Sequence, residues 1–406
     1  MKQATVSLAD IEQARQFLKT IIEPTPLLYN QWLSQSLGFE CYLKLENMLP
    51  IGSFKLRGAA YKISTLTSQQ KRKGVICASA GNHAQGVAWG ARHLGVDATI
   101  VMPEGASLVK VQSTKALGAK IIFHGNSYDE AFTEASAIAR RTGKVFVHAF
   151  EDKSVMAGQG TIGLEIVDQL PEVDAVIGSI GGGGLMAGVG TALKALKPQI
   201  KIYGCQAAGA PAIYRALKSH KALTLDRVDT FADGIAVRSA KPAMLKILRG
   251  VLDGIYLADD EAIAESMLTL MEKAKTVAEA SAAITLSIAQ NIRSKLKGQK
   301  VVLIICGGNV DVNVLGRVID RGLIKAGRRI RLNVHISDRP GSLSALTGVI
   351  AAAGANILQA IHDRGELSTG LNETGVELTL ETRGPEHTKE LLKKLRTVVT
   401  QLDMLH

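Results

Sequence analysis

Residues 74–102 read GVICASAGNHAQGVAWGARHLGVDATIVM, and this stretch decides the fold class. It begins and ends with short β-branched runs, Gly74–Ala78 and Ala98–Met102, and the residues between them follow a helical pattern through Gly95. A strand, a helix and a second strand in this order predict a parallel βαβ unit with a right-handed crossover. Ligands of such units bind at the carboxyl ends of the strands.

The same alternation of strands and helices continues to about residue 305. It predicts an α/β architecture that is built from parallel sheets. The further strands and helices that we expect are Lys120–Phe123, Tyr128–Arg141, Lys144–Val147, Thr161–Leu170, Asp174–Ile177, Ile200–Gln206 and Val301–Ile305.

The last part of the chain has a different pattern, in which apolar and polar residues alternate strictly. Residues 332–336 and 376–381 show this pattern, with His335 on the polar side. Such alternation is typical of antiparallel strands that have one face in the core and one in solvent. Helices expected at 342–353 and 387–397 complete a separate ferredoxin-like βαββαβ domain.

The charge of the chain raises the question of an anionic partner. The net charge is +11 and the sequence pI is about 9.4, but only 4% of the residues are aromatic. The sequence contains no Lys/Arg block, no basic stretch interleaved with aromatics and no zinc-finger spacing. Scattered, solvated charge therefore explains the balance, and we expect no nucleic-acid partner.

Several features predict a cytoplasmic protein without a membrane partner. The cysteines Cys41, Cys77, Cys205 and Cys306 are far apart, as expected of thiols in a reducing compartment. The N-terminus lacks the apolar block of a signal peptide. The uncharged run 175–193 has the length of a membrane span but contains seven glycines, so it is divided into a strand, a turn and a helix start.

The segment Gly52–Gly58, GSFKLRG, contains a candidate nucleophile. Ser53 is a plausible N-cap for the following helix and would place Lys55 in its first turn. There the helix dipole and weaker solvation lower the pKa of an ammonium group, as a Schiff-base lysine requires. Taken alone, an ordinary surface lysine would be the better interpretation.

Three glycine-containing turns follow strands and supply candidate binding groups. Ser79–Gly86, SAGNHAQG, exposes several backbone N–H groups that suit a carboxylate or a phosphate. Ser179–Leu185, SIGGGGL, lets the backbone surround a phosphate, although its glycines also satisfy a loose dinucleotide pattern. Cys306–Asn309 forms the third turn. Each could be a simple βα turn, but together with Lys55 they meet at one strand-end crevice.

The complete set of motifs resembles the threonine dehydratase (threonine ammonia-lyase) family of fold type II pyridoxal-phosphate enzymes, followed by an ACT regulatory domain. The resemblance covers nearly the whole chain and rests on Pro24–Leu28, Ser53–Lys55, Ser79–His83, Met102–Pro103, Ala157–Thr161, the glycine turn, Phe231–Arg238, Cys306–Asn309, Asp338–Leu343 and Gly354–Ile357.

The resemblance implies a catalytic domain with two parallel-sheet αβα subdomains. This domain would span residues 1–320, with a smaller subdomain inserted at roughly 48–150. A linker at 321–329 would join it to an ACT domain at 330–406. The implied reaction is the pyridoxal-phosphate-dependent conversion of L-threonine, and of L-serine less readily, to a 2-oxo acid and ammonia.

The resemblance also implies roles for individual residues. Lys55 would bind the cofactor covalently and act as the catalytic base, and Asn82 would bind the ring hydroxyl. The residues implied to bind the cofactor are Phe54, Lys55, Asn82, Gly181, Gly182, Gly183, Gly184, Leu185 and Cys306, with Cys306 facing the pyridine nitrogen. The residues implied to bind the substrate are Ser79, Ala80, Gly81, Asn82 and His83.

The sequence departs from the family pattern at three places, and these leave alternatives open. Cys306 replaces the usual Ser, Leu49 stands where Gln is common, and Glu279–Ala282 replaces a more glycine-rich segment. Serine racemase and 3-hydroxyaspartate dehydratase share the main motifs, but eukaryotic-type racemases have a serine at the position of Ala80. Cysteine-synthase relatives typically have Asp at the position of Leu56. A catalytically weak amino-acid sensor is the alternative from another class.

For the tail, the resemblance implies an amino-acid effector and a homo-oligomer, either a dimer or a tetramer. We expect Asp338 to meet the ammonium of the effector and the N–H groups near Gly341 to meet its carboxylate. The expected effector-binding residues are Asp338, Gly341, Leu343, Asn356 and Ile357. No metal site is predicted, because Gln206 lies near the position where metal-dependent relatives have a carboxylate.

Overall fold

The computed structural model describes residues 6–364 and 370–405. Its first compact unit, Met1–Asp311, contains two mainly parallel sheets. The strands of this unit are β1 (Leu27–Tyr29), β2 (Glu40–Leu45), β3 (Val75–Ala78), β4 (Ala98–Met102), β5 (Lys120–Phe123), β6 (Val145–Phe146), β7 (Ala175–Ser179), β8 (Lys201–Ala207), β9 (Leu223–Thr224), β10 (Ser239–Ala240), β11 (Gly254–Ala258) and β12 (Lys300–Ile305).

The larger sheet has the strand order β1-β2-β12-β7-β8-β11, and the smaller one has the order β5-β4-β3-β6. All neighbours in these two sheets pair in parallel except β1 and β2, which are antiparallel. The strands of the smaller sheet lie in sequence between β2 and β7 of the larger one. The predicted α/β class with two parallel sheets is confirmed.

Helices connect these strands and cover the sheets. They are α1 (Leu8–Leu18), α2 (Gln31–Leu37), α3 (Lys55–Ser64), α4 (Ser68–Lys73), α5 (Asn82–His93), α6 (Leu108–Ala116), α7 (Tyr128–Thr142), α8 (Lys153–Gln169), α9 (Gly184–Leu196), α10 (Ala212–Ser219), α11 (Pro242–Val251), α12 (Asp260–Lys273), α13 (Ala280–Asn291) and α14 (Arg293–Leu296). Short 3-10 helices lie at Glu46–Met48 and Asp233–Ile235.

Helix α8 differs from the prediction, because it begins at Lys153 rather than at Thr161. Asp152 caps it by accepting hydrogen bonds from two backbone N–H groups of the first turn. Gly158 and Gly160, which precede the predicted start, lie inside the helix and allow close packing. A Cβ on Gly158 would lie 2.6 Å from the Cα of Gly58 in α3, so these two helices touch through their backbones.

The second compact unit, Val312–His406, forms an antiparallel sheet with helices. Its elements are α15 (Val312–Lys325), β13 (Arg329–Ser337), α16 (Ser342–Ala352), β14 (Asn356–Asp363), β15 (Glu373–Glu381), α17 (Pro385–Leu395) and β16 (Gln401–Leu405). The strand order β14-β15-β13-β16, with antiparallel neighbours, is that of the predicted βαββαβ domain. The core contains the alternating apolar residues of β13 and β15.

Two details of the second unit differ from expectation. His335 is buried although the alternation places it on the polar face, because β13 is an inner strand that is paired on both sides. The expected linker at 321–329 is helical as far as Lys325. Helix α15 belongs to this unit, since Val318 is buried and Asp320 pairs with Arg329 of β13.

In the part of the chain that the structure describes, no helix is both long enough and apolar enough to cross a membrane.

Candidate active site

The first unit contains a cavity of about 670 Å³ at the carboxyl ends of its parallel strands. This volume is in the range of sites that hold small molecules and cofactors. The cavity brings together every residue predicted to bind cofactor or substrate. They are Phe54, Lys55, Ser79, Ala80, Gly81, Asn82, His83, Gly181, Gly182, Gly183, Gly184, Leu185 and Cys306.

The backbone fixes the position of Lys55 relative to Cys306. Ser53 forms an antiparallel bridge with Gly307, and the Phe54 N–H donates to the Cys306 carbonyl at 3.0 Å. Lys55 then begins α3 at its first residue. The start of α3 is therefore attached to the end of β12, and the lysine side chain enters the cavity from there.

The prediction that Ser53 caps α3 is wrong. The cap position is occupied by Phe54, which already has a helical backbone, so Ser53 lies one residue too early. Its hydroxyl is buried and has no hydrogen-bond partner within the described ranges. The first-turn position predicted for Lys55 is nevertheless the one observed.

Lys55 is a partly buried amine with little to neutralise its charge. Its Nζ donates to the Ala149 carbonyl at 3.2 Å and forms no ion pair with any residue that the structure describes. Burial lowers the pKa of Lys55 to about 8, and the electrostatic influence of Cys306 and Glu279 opposes this change. Far more of this amine than of an ordinary lysine is therefore unprotonated near neutral pH, as a nucleophile or a general base requires.

The turn after β7 forms a cradle for an anion. Helix α9 begins at Gly184, and Gly183 precedes it with a φ of +96°, which favours glycine. A Cβ on Gly182 would lie 2.4 Å from the Phe150 ring, so a side chain would not fit there. The free N–H groups at the start of this helix suit a phosphate.

The turn after β3 presents a second set of N–H groups at the start of α5. Gly81 occupies the cap position and supplies no capping side chain. The imidazole of His83 is buried, and its Nε2 lies 2.8 Å from the Val147 carbonyl. Burial lowers the pKa of His83 to about 3, so the ring is neutral. A carboxylate at this turn would consequently be held by backbone N–H groups rather than by a charged His83.

Cys306 lies at the end of β12 between two serines. Its Sγ is 3.4 Å from the Ser179 Oγ and 3.8 Å from the Ser281 Oγ. Burial raises the pKa of the thiol to about 12, so it is neutral at physiological pH. The side chain can offer the cavity a weak hydrogen bond but no charge.

Glu279 is the site residue that the sequence interpretation did not assign. It lines the cavity, is 6% exposed, and accepts hydrogen bonds from Asn82 and Ser281. The sequence does contain a signal for Glu279, which directly precedes the uncharged run 280–289. The structure buries this run in α13. A carboxylate beside such a run requires polar partners, and those partners come from distant parts of the chain.

The expected effector residues are not brought together within one copy of the second unit. Asp338 and Gly341 follow the end of β13, whereas Asn356 and Ile357 begin β14 and pair with the far end of β15. At ~3.3 Å per residue along β15 the two groups lie about 25 Å apart. Asp338 pairs with Arg364 at 2.9 Å.

The contacts and exposure of the other expected effector residues, Asn356, Ile357 and Leu343, differ. The Asn356 amide lies 3.5 Å from a carboxylate oxygen of Glu381, and Ile357 packs against the core of the second unit. Leu343 is 37% exposed on α16. Ile357 therefore contributes to packing within its own domain.

Gln206, which carried the prediction of no metal, uses both ends of its amide inside the protein. Its Nε2 donates to the Ile180 carbonyl at 3.1 Å, and its Oε1 accepts from the Tyr214 N–H at 2.8 Å. The absence of a metal stays a prediction.

Comparisons with known proteins agree with this geometry. Residues 18–307 match the family described as pyridoxal-phosphate dependent enzyme, and residues 330–398 match the ACT domain. An L-threonine ammonia-lyase of Thermotoga maritima is 42% identical over 390 residues, which cover 96% of this chain and 97% of that protein.

Two solved structures extend the similarity to the fold of the first unit. The processed form of threonine deaminase isoform 2 from Solanum lycopersicum is 36% identical, with a TM-score of 0.74 over 77% of this chain and 91% of that one. Maize serine racemase is 31% identical, with a TM-score of 0.75 over 79% of this chain and 99% of that one.

The residues of the cavity fit pyridoxal phosphate. Lys55 offers an amine of lowered pKa for the aldehyde, and the glycine cradle at the start of α9 offers N–H groups for the phosphate. Cys306 offers a neutral thiol. The chain therefore belongs to the threonine ammonia-lyase family of pyridoxal-phosphate dependent enzymes and carries a C-terminal ACT domain.

Proposed function

We propose that the protein converts L-threonine, and L-serine less readily, to the corresponding 2-oxo acid and ammonia. The observation that carries the proposal is the Lys55 amine, whose pKa is lowered to about 8 and which shares one cavity with the glycine cradle. The similarity to a threonine ammonia-lyase over nearly the full chain supports threonine as the substrate.

The bound cofactor supplies an electron sink for the α-carbon of an amino acid. The protein supplies the positioning and the proton transfer. Backbone N–H groups at Ser79–Gly81 and at the start of α5 hold the substrate carboxylate, and those at Gly181–Gly184 hold the cofactor phosphate. Lys55, once its amine is free, removes the α-proton as a general base. Cys306 and Asn82 orient the ring.

The direct test is to supply the purified protein with pyridoxal phosphate and L-threonine and to measure the release of 2-oxobutyrate. We expect 2-oxobutyrate and ammonia in equal amounts, and pyruvate from L-serine at a lower kcat/KM. A protein that binds the cofactor but releases no 2-oxo acid from either substrate would contradict the proposal. It would favour the amino-acid sensor instead.

Serine racemase is the second candidate, because the structural similarity to the maize enzyme is as high as to the threonine deaminase. A racemase needs an acid or a base on each face of the α-carbon. Ala80 lines the cavity where eukaryotic-type racemases carry a serine, and an alanine cannot transfer a proton. We expect little D-serine, and chiral chromatography that shows racemisation of L-serine faster than its deamination would reverse the assignment.

The ACT domain supports regulation by an amino acid. Because the expected effector residues lie about 25 Å apart in one copy, we propose that two copies pair and that each contributes one group to a shared site. The oligomer is then a dimer or a tetramer, which sedimentation can distinguish. We place the protein in the cytoplasm, since its four cysteines are buried free thiols.

A further inference from the structure

The Asn82 side chain has a fixed orientation that depends on Glu279. Its Nδ2 lies 2.9 Å from both carboxylate oxygens of Glu279. Its Oδ1 accepts a hydrogen bond of 2.8 Å from the Asn309 Nδ2, which also donates to the Ile51 carbonyl. A rotated amide would set its oxygen against the carboxylate and its N–H groups against Asn309, so one orientation is strongly preferred.

This arrangement leaves one donor of Asn82 available to a ligand. The two oxygens of one carboxylate lie too close together to accept the two diverging hydrogens of an amide nitrogen separately. One N–H of Asn82 therefore points between the oxygens of Glu279, and the other remains available at the cavity wall. Glu279 thus determines which donor Asn82 presents.

The carboxylate of Glu279 is buried. Burial raises the pKa of Glu279, and the hydrogen bonds that Ser281, at 2.6 Å, and Asn82 donate to it favour the charged form and oppose this change. Space around the carboxylate is restricted, because a Cβ on Gly307 would lie 2.6 Å from its Oε1.

The charge of Glu279 acts on the Lys55 nitrogen. Within the described residues Glu279 forms no salt bridge, and it raises the pKa of Lys55 through space. Other titratable groups interact electrostatically with Glu279 or Lys55. They are Asp233 of the second 3-10 helix, Lys110 of α6, Cys306 directly after β12, His83 of α5 and His148 directly after the Val147 that follows β6. Lys110 and Asp233 pair with each other, and Cys306 is neutral at pH 7. Among these described groups, Glu279 is therefore the carboxylate that no cation neutralises.

We propose that Glu279 is a positioning residue with two effects: it orients the Asn82 amide toward the cofactor ring, and its carboxylate, in the wall of the cavity that Lys55 enters, stabilises positive charge at the Lys55 nitrogen. The inference rests on the proposed roles of Lys55 and Asn82 in holding the cofactor. It does not depend on which amino acid is the substrate, so it can be tested without turnover.

The test compares Glu279→Gln with the wild type and with a matched control, Glu151→Gln. Glu151 also lines the cavity but has no hydrogen bond to Asn82. The measurements are the Kd for pyridoxal phosphate, from fluorescence, and the pH midpoint of the absorbance change of the bound cofactor. In Glu279→Gln an N–H group faces the Asn82 amide and the charge is lost.

We expect the Kd of Glu279→Gln to rise roughly tenfold, as for the loss of one aligned hydrogen bond. We expect its absorbance midpoint to fall by about one pH unit. The control should change neither quantity. If Glu279→Gln changes neither, or changes both no more than Glu151→Gln does, the proposal is wrong.

Two further variants separate the effects and allow for misfolding of Glu279→Gln. Glu279→Asp keeps the carboxylate on a shorter side chain. Its Kd should rise, while its absorbance midpoint stays near that of the wild type. A midpoint as low as that expected for Glu279→Gln would overturn the charge effect. In an Asn82→Ala background, Glu279→Asp should no longer change the Kd. A further rise in that background would show that Glu279 does not act through Asn82. Release of 2-oxobutyrate, measured separately, tests the proposed reaction.

Discussion

Two positive side chains near the start of helix α3, Lys55 and Arg57, lie in opposite environments. Arg57 is 1% exposed and donates to two carboxylates, those of Glu46 and Glu165. Burial alone would lower the pKa of Arg57, but these carboxylates raise it above its usual value. Lys55 faces the cavity, donates to one backbone carbonyl, and has its pKa lowered to about 8. One helix therefore presents a fully paired charge to the core and an unpaired amine to the active site.

The core side of this comparison is a cluster of four charged residues that we call the Arg57 cluster. Its members are Lys44, Glu46, Arg57 and Glu165, and their formal charges cancel. The cluster joins β2, the first 3-10 helix, α3 and α8. Thr25, which precedes β1, and Gln169 of α8 are hydrogen-bonding neighbours. It attaches the helix whose first residue is Lys55, while the lysine itself keeps a reactive nitrogen.

The largest effect is expected on the cavity side. Lys55→Ala removes the amine that binds the cofactor and accepts the α-proton, so release of 2-oxobutyrate should fall by at least about a thousandfold. Lys62→Ala is the matched control, since Lys62 lies on the same helix but pairs with Asp152 outside the cavity. Turnover by Lys55→Ala above one-tenth of the wild-type rate would mean that another residue supplies the amine.

The next effect concerns the core side. Arg57→Met leaves the carboxylates of Glu46 and Glu165 buried without their main partner, and the free energy of unfolding of the first unit should fall by about 3–5 kcal/mol. Urea unfolding followed by tryptophan fluorescence measures this. The double variant with Glu46→Gln added restores a neutral cluster and keeps the Lys44–Glu165 pair, so it should be more stable than Arg57→Met alone. If it is less stable, uncompensated charge is not the cause.

The alternating strands and the turns after them were predictable, and with them the residues that line the cavity. Repeating βα units place turns after β3 of the smaller sheet and after β7 and β12 of the larger one, and ligands bind at such strand ends. The local patterns therefore indicated the turns, and the family resemblance supplied the roles of their residues. The Arg57 cluster and the contact of Glu279 with Asn82 join residues that are more than a hundred positions apart, such as Arg57 with Glu165. Local propensity contains no information about such pairings. The start of α8 was missed because glycine favours turns locally, whereas here it permits helix contact.

In the cofactor-free protein, the contribution of Lys55 to the free energy of unfolding should depend on pH. The folded-state pKa of Lys55 is about 8, below the usual value of 10.5, so the folded state binds fewer protons between these values. The cost of holding a charged amine in the cavity wall is present below pH 8 and is relieved as the pH rises toward 10.5. Lys55→Met should therefore be more stable than the wild type at pH 7, by up to about 2 kcal/mol.

Unfolding midpoints measured at several pH values between 7 and 10 check this. The advantage of Lys55→Met should shrink steadily with rising pH. The deficit of Arg57→Met should depend on pH much less, because the pKa of Arg57 is raised and its guanidinium stays charged over this range. An advantage that is independent of pH would indicate that the methionine only improves packing.

A smaller effect is expected from Cys306→Ser, which changes the cavity side without adding charge. The thiol has only weak partners, at 3.4 Å and 3.8 Å, and a hydroxyl can take its place with stronger hydrogen bonds. The kcat for threonine should stay within roughly tenfold of the wild type, or about 1.4 kcal/mol in barrier. Cys205→Ser is the control for a buried thiol outside the cavity, and complete loss of activity in Cys306→Ser alone would give Cys306 another role.

The smallest effect on stability concerns an ion pair that contrasts with the Arg57 cluster. The side chains of Asp338 and Arg364 are 35% and 71% exposed, so solvent screens their attraction. Arg364→Gln should change the free energy of unfolding of the full chain by less than about 0.5 kcal/mol. Thermal unfolding with Lys389→Gln, which breaks the exposed pair with Glu386, as the control tests this expectation.

The same pair nevertheless determines whether Asp338 can meet an effector. If the ammonium of an amino acid binds Asp338, it competes with Arg364, so Arg364→Gln should tighten the binding of an effector such as isoleucine or valine by a few-fold. Asp338→Asn should abolish the response of threonine deamination to that effector and leave the basal rate unchanged. Calorimetric titration gives the Kd for each variant. Removing the carboxylate of Asp338, or the Arg364 that competes for it, must change the affinity of any cation that Asp338 binds. If the Kd and the midpoint of the kinetic response are the same in wild type, Arg364→Gln and Asp338→Asn, the effector does not bind Asp338.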